Sequence, residues 1–512
     1  MALRTAITTI GNTLPRSAAA GVVPWHLSHT KRRGNQLYEA FIKHFSSNEL
    51  IHGTSEWQII RPATPEETSY EKFHRNYARQ AIGGFIFNSR TAIGEELWSK
   101  SLRHLSNKIQ ALRLCLQERE EKLMLCEVKN HDIDFKMVEN KTVLEALDDM
   151  QNEGLDNSFW SVRIVPGGVC GIPEIREEFP HQYTFYLKTH HGLMDGISMV
   201  FLIRVFTEIL DDVLSGKIVN DDVKLGKLTL FDDPLQIKIK ETQQALESDQ
   251  IRLKEEKERM LTVTKKQPIL YSAFPKPKGI QSTTKHIVKV VDTSKVNAFY
   301  KSCKLKKINM TAGFEALFNT ALVEMVSDAG AAQDGFQINI RQIVNMRRYF
   351  KVEKDLNKLH IGNFLGGMQQ GTFCRKLARK NFWEHAQGIH NNFHSLLKNN
   401  GPFIELIVRP QVQGPLDPLE LAKGPSRDYS DYAFSNVLDL TPFAFYEGKH
   451  VQITDIISYN FIHNYLHPML FQLATYRGLG QLTCSYDTAK VAHDTAHELM
   501  DRIINLLDFV TK

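Results

Sequence analysis

The apolar positions along this chain follow two repeats, one typical of strands and one typical of helices. From Tyr183 to Lys188 the residues alternate and are rich in aromatic side chains, which predicts a β-strand. After a short polar turn, apolar residues recur every four positions, which predicts a helix with one buried stripe. That stripe consists of Ile197, Phe201, Val205, Ile209 and Val213. A turn between a buried strand and a helix is a common location for reacting groups.

The same two repeats continue through the whole chain and predict an α/β protein. In the first half they predict strands at 83–88 and 159–165, and helices at 93–109 and 142–150, the latter capped by Thr142. In the second half they predict strands at 286–291, 336–344 and 432–440 and a hairpin at 469–487, and helices ending at Leu305 and covering 311–326, 381–400 and 494–510.

A charged segment separates the two halves. Residues 236–266 are dense in Lys, Glu, Asp and Gln, and Leu246, Leu253 and Met260 are spaced seven apart. One weak heptad strip is too short for a coiled coil, so a solvated surface helix joining two lobes is favoured over a partner-binding coiled coil. Prolines then predict an extended linker at 268–279. The predicted organisation is a tail at 1–35, an N-terminal lobe at 36–235, a bridge at 236–283 and a C-terminal lobe at 284–512.

Composition narrows the class of protein. The chain has 512 residues, and its 63 Lys and Arg against 58 acids give a net charge of +5, which argues against a dedicated nucleic-acid binder. Six scattered cysteines without a Cys-x-x-Cys pair favour reduced thiols and a cytoplasmic location. No apolar run reaches the length of a transmembrane span. The acid-free, basic stretch from Met1 to Tyr38 fits either a disordered tail or a mitochondrial transit segment, which leaves mitochondrial import as the alternative location.

The predicted turn carries a His-His-x-x-x-Asp-Gly string made of His190, His191, Asp195 and Gly196. This string resembles the signature of the chloramphenicol-acetyltransferase-like superfamily of acyltransferases, which includes condensation domains, wax ester and diacylglycerol acyltransferases, alcohol acetyltransferases and the plant BAHD enzymes. The plant-type Asp-Phe-Gly-Trp string is missing, which speaks against the BAHD branch. The resemblance implies two lobes, each a mixed sheet flanked by helices, with the active-site channel between them.

Other motifs resemble the superfamily in the same order along the chain. Asn345 to Arg348 resembles the segment whose arginine pairs with the motif aspartate, which makes Arg347 the first choice and Arg341 the second. The run 362–367 resembles the Gly-Asn strand near the substrate tunnel and contributes Asn363 as a substrate-binding candidate. Ser435 and Asn436 resemble the Ser-Asn element that faces the histidines, and they are candidates for stabilising an oxyanion.

The resemblance also assigns roles within the motif. An alcohol or amine that attacks a thioester must lose a proton, and a neutral imidazole is suited to accept it near pH 7. His191 is the general base in this resemblance, and His190 supports the loop. Asp195 is expected to brace the turn through Arg347 rather than to touch His191. Gly196 is expected to let the turn close.

Alternative functions remain open for the same residues. The histidine pair lacks the further ligands that zinc requires, and the pairs His390/His394 and His493/His497 are more typical of a helix surface, so no metal and no cofactor is predicted beyond acyl-CoA as co-substrate. The expected partners are acyl-CoA and a small-molecule alcohol or amine, and the expected state is a monomer. The alternatives are a lipid acyltransferase of the wax ester or diacylglycerol type with peripheral membrane contact, and a condensation-like scaffold that no longer turns over.

Overall fold

The chain folds into two α/β halves. The computed structural model describes residues 57–77, 80–119, 122–129, 131–155, 159–228, 234–264, 267–349, 360–413, 428–463 and 466–512. The tail predicted at 1–35 lies outside these ranges. Within them, no helix is both long enough and apolar enough to cross a bilayer.

The strands include every run that alternation predicted, with bounds that differ by at most three residues, and others that were not predicted. They are β1 (Trp57–Pro62), β2 (Gln80–Ser89), β3 (Leu114–Arg119), β4 (Lys122–Val128), β5 (Asp134–Met137), β6 (Trp160–Pro166), β7 (His181–His190), β8 (Lys227–Leu228), β9 (Thr284–Val291), β10 (Gly335–Asn345), β11 (His360–Ile361), β12 (Leu365–Arg375), β13 (Tyr432–Asp439), β14 (Val451–Asn460), β15 (Met469–Tyr476) and β16 (Leu479–Asp487).

The helices also follow the predicted pattern, and several begin at a capping side chain. They are α1 (Pro65–Tyr77), α2 (Glu95–Lys108), α3 (Val143–Asn152), α4 (Pro173–Glu178), α5 (Gly196–Leu214), α6 (Pro234–Ser248), α7 (Gln250–Thr264), α8 (Thr293–Leu305), α9 (Met310–Asp328), α10 (Phe382–Lys398), α11 (Gly401–Gln413), α12 (Thr441–Ala444) and α13 (His493–Val510). Thr142 forms a capping box with Glu145 at the start of α3, as its position predicted.

The first half is built around a five-stranded sheet in the order β14-β2-β7-β6-β5. Its central strand β7 is buried along nearly its whole length, which explains its aromatic and apolar composition. Helices α2 and α5 cover one face, where Trp98 stacks on Phe206 at 5.9 Å between ring centroids. A smaller sheet, β1-β4-β3, accompanies this half.

The second half is built around a six-stranded sheet in the order β12-β10-β13-β15-β16-β9. The buried helix α9 packs on it, with Phe318 stacked on Phe471 at 4.5 Å between ring centroids. Both sheets mix parallel and antiparallel pairs, so the predicted α/β class with two mixed-sheet lobes is confirmed.

The two halves exchange strands. β14, from the second half of the chain, pairs antiparallel with β2 at the edge of the first sheet. β8, from the first half, pairs in parallel with β11. The linear division at residue 284 therefore does not coincide with the division between the sheets.

The charged bridge differs from the single solvated helix that was expected. It forms two helices, α6 and α7, with a break at Asp249. Leu246 and Met260 are buried against Ile404 and Val408 of α11. The apolar residues spaced seven apart therefore mark a face packed against the second half, which supplies the apolar surface that the isolated segment lacks.

Candidate active site

The turn with the two histidines lies at the end of the central strand of the first sheet. β7 ends at His190, whose position is paired with Gln80 of β2. Six residues later, at Gly196, α5 begins, and the Asp195 carboxylate caps it by accepting a hydrogen bond from the Ser198 N–H at 2.9 Å. The predicted strand, turn and helix are therefore confirmed.

The turn requires a glycine, but not the one that the motif suggested. A Cβ added at Gly192 would lie 2.8 Å from the Tyr70 Cβ and 2.9 Å from a carbon of the His190 ring. A Cβ added at Gly196 would meet nothing within 4 Å, and Gly196 does not have a positive φ. The expectation that Gly196 lets the turn close is therefore wrong. Close packing makes Gly192 the residue that this turn needs.

His191 is half-buried, and a backbone contact orients its ring. Its Nδ1 lies 3.2 Å from the Met194 carbonyl oxygen. Because a carbonyl oxygen only accepts hydrogen bonds, Nδ1 carries the proton in this contact. A neutral His191 then has its lone pair on Nε2, which is the form that accepts a proton.

Asp195 contacts residues of the second half of the chain. It is fully buried, and its Oδ2 and Oδ1 accept hydrogen bonds from Arg347 Nη1 at 2.6 Å and Nη2 at 3.1 Å. The Phe364 N–H donates to the same carboxylate at 2.9 Å. Burial by itself would raise the pKa of Asp195, but Arg347 and the backbone N–H groups of Ser198 and Phe364 lower it below its ordinary value. The ionised carboxylate thus joins the two halves beside the histidine turn.

Further contacts surround this ion pair. Ser198 Oγ accepts a hydrogen bond from Arg347 Nη2 at 2.8 Å and donates to the Gly362 carbonyl at 2.8 Å. The Arg347 guanidinium lies over the Phe364 ring, 4.4 Å from its centroid. The second choice of arginine, Arg341, instead pairs with Glu405 at 2.6 Å.

The remaining candidates lie on the second half. Asn363 is buried, and its Oδ1 accepts a hydrogen bond from the Leu365 N–H at 3.3 Å, while its Nδ2 has no hydrogen-bond partner among the described residues. Ser435 is half-buried on β13 and is paired with Ile343 of β10. Asn436 Nδ2 donates to Thr311 Oγ1 at 3.0 Å at the start of α9. Ser435 and Asn436 therefore lie on the other sheet from the histidines, and their role as oxyanion donors stays a prediction.

Helix α1 places residues beside the histidine turn that were not predicted from the sequence. Glu71 Oε2 lies 2.9 Å from His190 Nε2, and the His74 ring packs edge-on against the His190 ring at 4.7 Å between centroids. The Tyr70 ring centroid lies 5.7 Å from that of His191. The available signal was the helix start, where Thr64, Pro65 and Glu67 form a capping-box pattern.

Burial and neighbouring charges set the ionisation of this group. Burial would raise the pKa of Glu71, but His190 and Arg75 lower it to about 2. Burial and the adjacent His190 lower the pKa of His74 to about 3. At neutral pH Glu71 is therefore a carboxylate and His74 is uncharged.

The histidine pairs on other helices have local roles. His390 Nδ1 accepts a hydrogen bond from the Asn309 N–H at 3.2 Å, and His493 Nδ1 lies 2.5 Å from the Tyr486 hydroxyl. Within the described ranges, no group of three or more His, Cys, Asp and Glu side chains is arranged to hold a metal ion.

The chain is similar to known proteins in part of its sequence and in its fold. Residues 185–413 match the family model of alcohol acetyltransferases, a segment that contains the histidine motif, Arg347 and Asn363 but is less than half of the chain. A comparison with curated protein sequences finds no significant match.

Solved structures match over most of the chain. The trichothecene 15-O-acetyltransferase TRI3 from Fusarium sporotrichioides is similar with a TM-score of 0.62 and 10% identity, over 88% of this chain and 95% of that chain. The first condensation domain of the calcium-dependent antibiotic synthetase is similar with a TM-score of 0.61 and 10% identity, over 90% of this chain and 97% of that chain. The condensation domain of the Monacolin K polyketide synthase MokA is similar with a TM-score of 0.60 and 11% identity, over 89% of this chain and 98% of that chain. At these identities the similarity establishes the fold.

Proposed function

We propose that this chain is an acyltransferase of the chloramphenicol-acetyltransferase-like superfamily and that it moves an acyl group from an acyl-CoA thioester to the hydroxyl group of a small-molecule alcohol. Its assignment as an acyltransferase rests on the family match and the fold. The choice of acyl-CoA as the donor follows from the resemblance of the histidine motif to that of CoA-dependent acyltransferases. The observation that carries the mechanism is the contact of His191 Nδ1 with the Met194 carbonyl, because it leaves Nε2 as the basic nitrogen.

In the proposed reaction His191 acts as a general base. Nε2 takes the proton of the acceptor hydroxyl while its oxygen bonds to the thioester carbonyl carbon, which gives a tetrahedral oxyanion. The carbon–sulfur bond then breaks, and the imidazolium returns the proton to the departing thiolate, so that free CoA thiol and an ester are formed. Asn363, Ser435 and Asn436 are the candidate donors for the oxyanion.

Asp195 and Arg347 have a supporting role in this proposal. Their ion pair is buried, and it fixes the start of α5 against the 362–364 segment of the other half. Since His191 lies within the turn that precedes α5, its orientation depends on this junction. We place the substrate channel between the two lobes, with His191 reached from both sides.

The function can be tested by following thiol release. Purified protein is mixed with acyl-CoAs of different chain lengths and with panels of alcohols and amines. His191→Ala should lower turnover by roughly 10²- to 10⁴-fold without changing the melting curve. The matched control is His181→Ala, which alters an exposed histidine at the other end of the same strand and should leave turnover unchanged.

The outcomes separate the alternatives. A His191→Ala protein that is as active as the wild type would remove the mechanism. Transfer to amines in preference to alcohols would indicate condensation-like chemistry, in line with the condensation domains among the similar structures. A preference for long-chain donors together with binding to anionic vesicles would favour a lipid acyltransferase, and thiol release from none of the donors would favour a scaffold.

A further inference from the structure

Helix α1 packs against the histidine turn and makes contacts that neither motif nor fold assigns. We propose that α1 is part of the active site and that its Glu71 is a positioning residue that holds His190 and, through the turn, the catalytic ring of His191. This inference rests on the proposed function for its effect on catalysis, while its structural part stands independently.

The first step is the fixed orientation of the His190 ring. The Gly192 N–H donates to His190 Nδ1 at 3.2 Å, so the ring proton of a neutral His190 is on Nε2. Nε2 lies 2.9 Å from Glu71 Oε2, a close charge contact whose angles do not meet those of a hydrogen bond. Both side chains are buried, with 1% (His190) and 9% (Glu71) of their surface exposed, so this carboxylate acts on the ring with little screening by solvent. Glu71 thus favours the tautomer that accepts from Gly192.

The second step links that ring to the catalytic one. The hydrogen bond from the Gly192 N–H to the His190 ring fixes the middle of the turn, which runs from His190 to Met194. The Met194 carbonyl at the end of the same turn accepts from His191 Nδ1. If His190 loses its preferred tautomer, the Gly192 N–H loses its acceptor, and the carbonyl that orients His191 is freed to move.

The third step is the close contact between α1 and the turn. There is no room for a side chain at residue 192, because a Cβ there would lie 2.8 Å from the Tyr70 Cβ. The Tyr70 ring in turn packs near the His191 ring. Within the described part of the chain, the titratable groups next to Glu71 are Arg75, at 2.6 Å on the same helix, and His190 from β7, whose ring also contacts the His74 ring.

Helix α1 also offers a matched control. Glu67, one turn before Glu71, is likewise buried and ion-paired, but its partner is Arg61 at 2.8 Å, and it completes the capping box with Thr64. Its loss should destabilise the helix without changing the charge beside His190. Glu67→Ala therefore separates a stabilising role of α1 from a positioning role.

The experiment compares Glu71→Ala, Glu71→Gln and Glu67→Ala in the full chain. Hydrogen–deuterium exchange of the peptide covering the turn is the readout that does not need activity, and kcat and KM are measured across pH 6 to 9. Glu71→Ala should raise exchange in the turn several-fold and lower kcat by about tenfold, with KM within about twofold, an effect typical of residues that orient a functional histidine. Glu71→Gln retains an acceptor oxygen and should recover most of kcat, whereas Glu67→Ala should lower only the melting temperature.

Normal exchange in the turn of Glu71→Ala, with kcat within about twofold of wild type, would overturn the inference. Failure of the proposed function is distinguishable from this result. In that case the wild type itself releases no thiol, while the exchange measurement still reports whether Glu71 holds the turn.

Discussion

Replacing Asp195 by asparagine should destabilise the protein far more than an ordinary polar substitution. The carboxylate is fully buried and accepts four hydrogen bonds, two from Arg347 and one each from the backbone of Ser198 and Phe364. An asparagine of the same shape places an NH₂ group against one of these donors. It also leaves the buried Arg347 charge without its counter-ion.

The expected cost follows from that uncompensated charge. Removing one partner of a buried ion pair costs about 3–5 kcal/mol. This raises the unfolded population roughly a hundredfold to several thousandfold, since each 1.4 kcal/mol is tenfold. A domain stability of about 5–15 kcal/mol leaves the variant folded under mild conditions but with a lower urea midpoint.

The measurement is urea unfolding followed by fluorescence and by circular dichroism, whose transitions must coincide for the free energy to be defined. Asp212→Asn is the matched control, because its carboxylate lies on the same helix but pairs with Lys217 in solvent, and it should leave the midpoint unchanged. A double variant, Asp195→Asn with Arg347→Met, should be more stable than Asp195→Asn alone, since it removes the unpaired charge. A destabilisation of Asp195→Asn below about 1 kcal/mol would refute the assignment of this pair as the junction between the halves.

Two further predictions concern the bridge and the acid limit of stability. Leu246→Ala should lower the free energy of unfolding by about 2–5 kcal/mol, because Leu246 is buried against α11. A loss near zero would show that the bridge is a solvated helix that does not pack on α11. Because the pKa of Glu71 in the folded protein, about 2, lies below its ordinary 4.5, the unfolded state binds the proton first. Its contribution to stability is therefore complete above pH 4.5 and lost as the pH falls towards 2. Acid titration of Glu71→Gln should show a shallower loss over that window, and an identical slope would contradict the assigned ionisation.

The strand, turn and helix around the histidines could be predicted because the rules that govern them are local. The alternation of β7, the four-residue repeat of α5 and the cap at Thr142 each depend on residues a few positions apart. The pairing of Asp195 with Arg347 spans 152 positions and was accessible only through the resemblance to known acyltransferases.

The sequence by itself thus determined the α/β class, the strand and the helix on either side of the histidine turn, and the residue types within that turn. The tertiary structure decided that β14 completes the sheet of the other half, that α6 and α7 pack on α11, and that Glu71 faces His190. It also showed that the glycine required by the turn is Gly192 and not Gly196. The physical reason is that a periodic pattern specifies which face of an element is buried but not which distant surface covers it, and close approaches arise only when those surfaces meet.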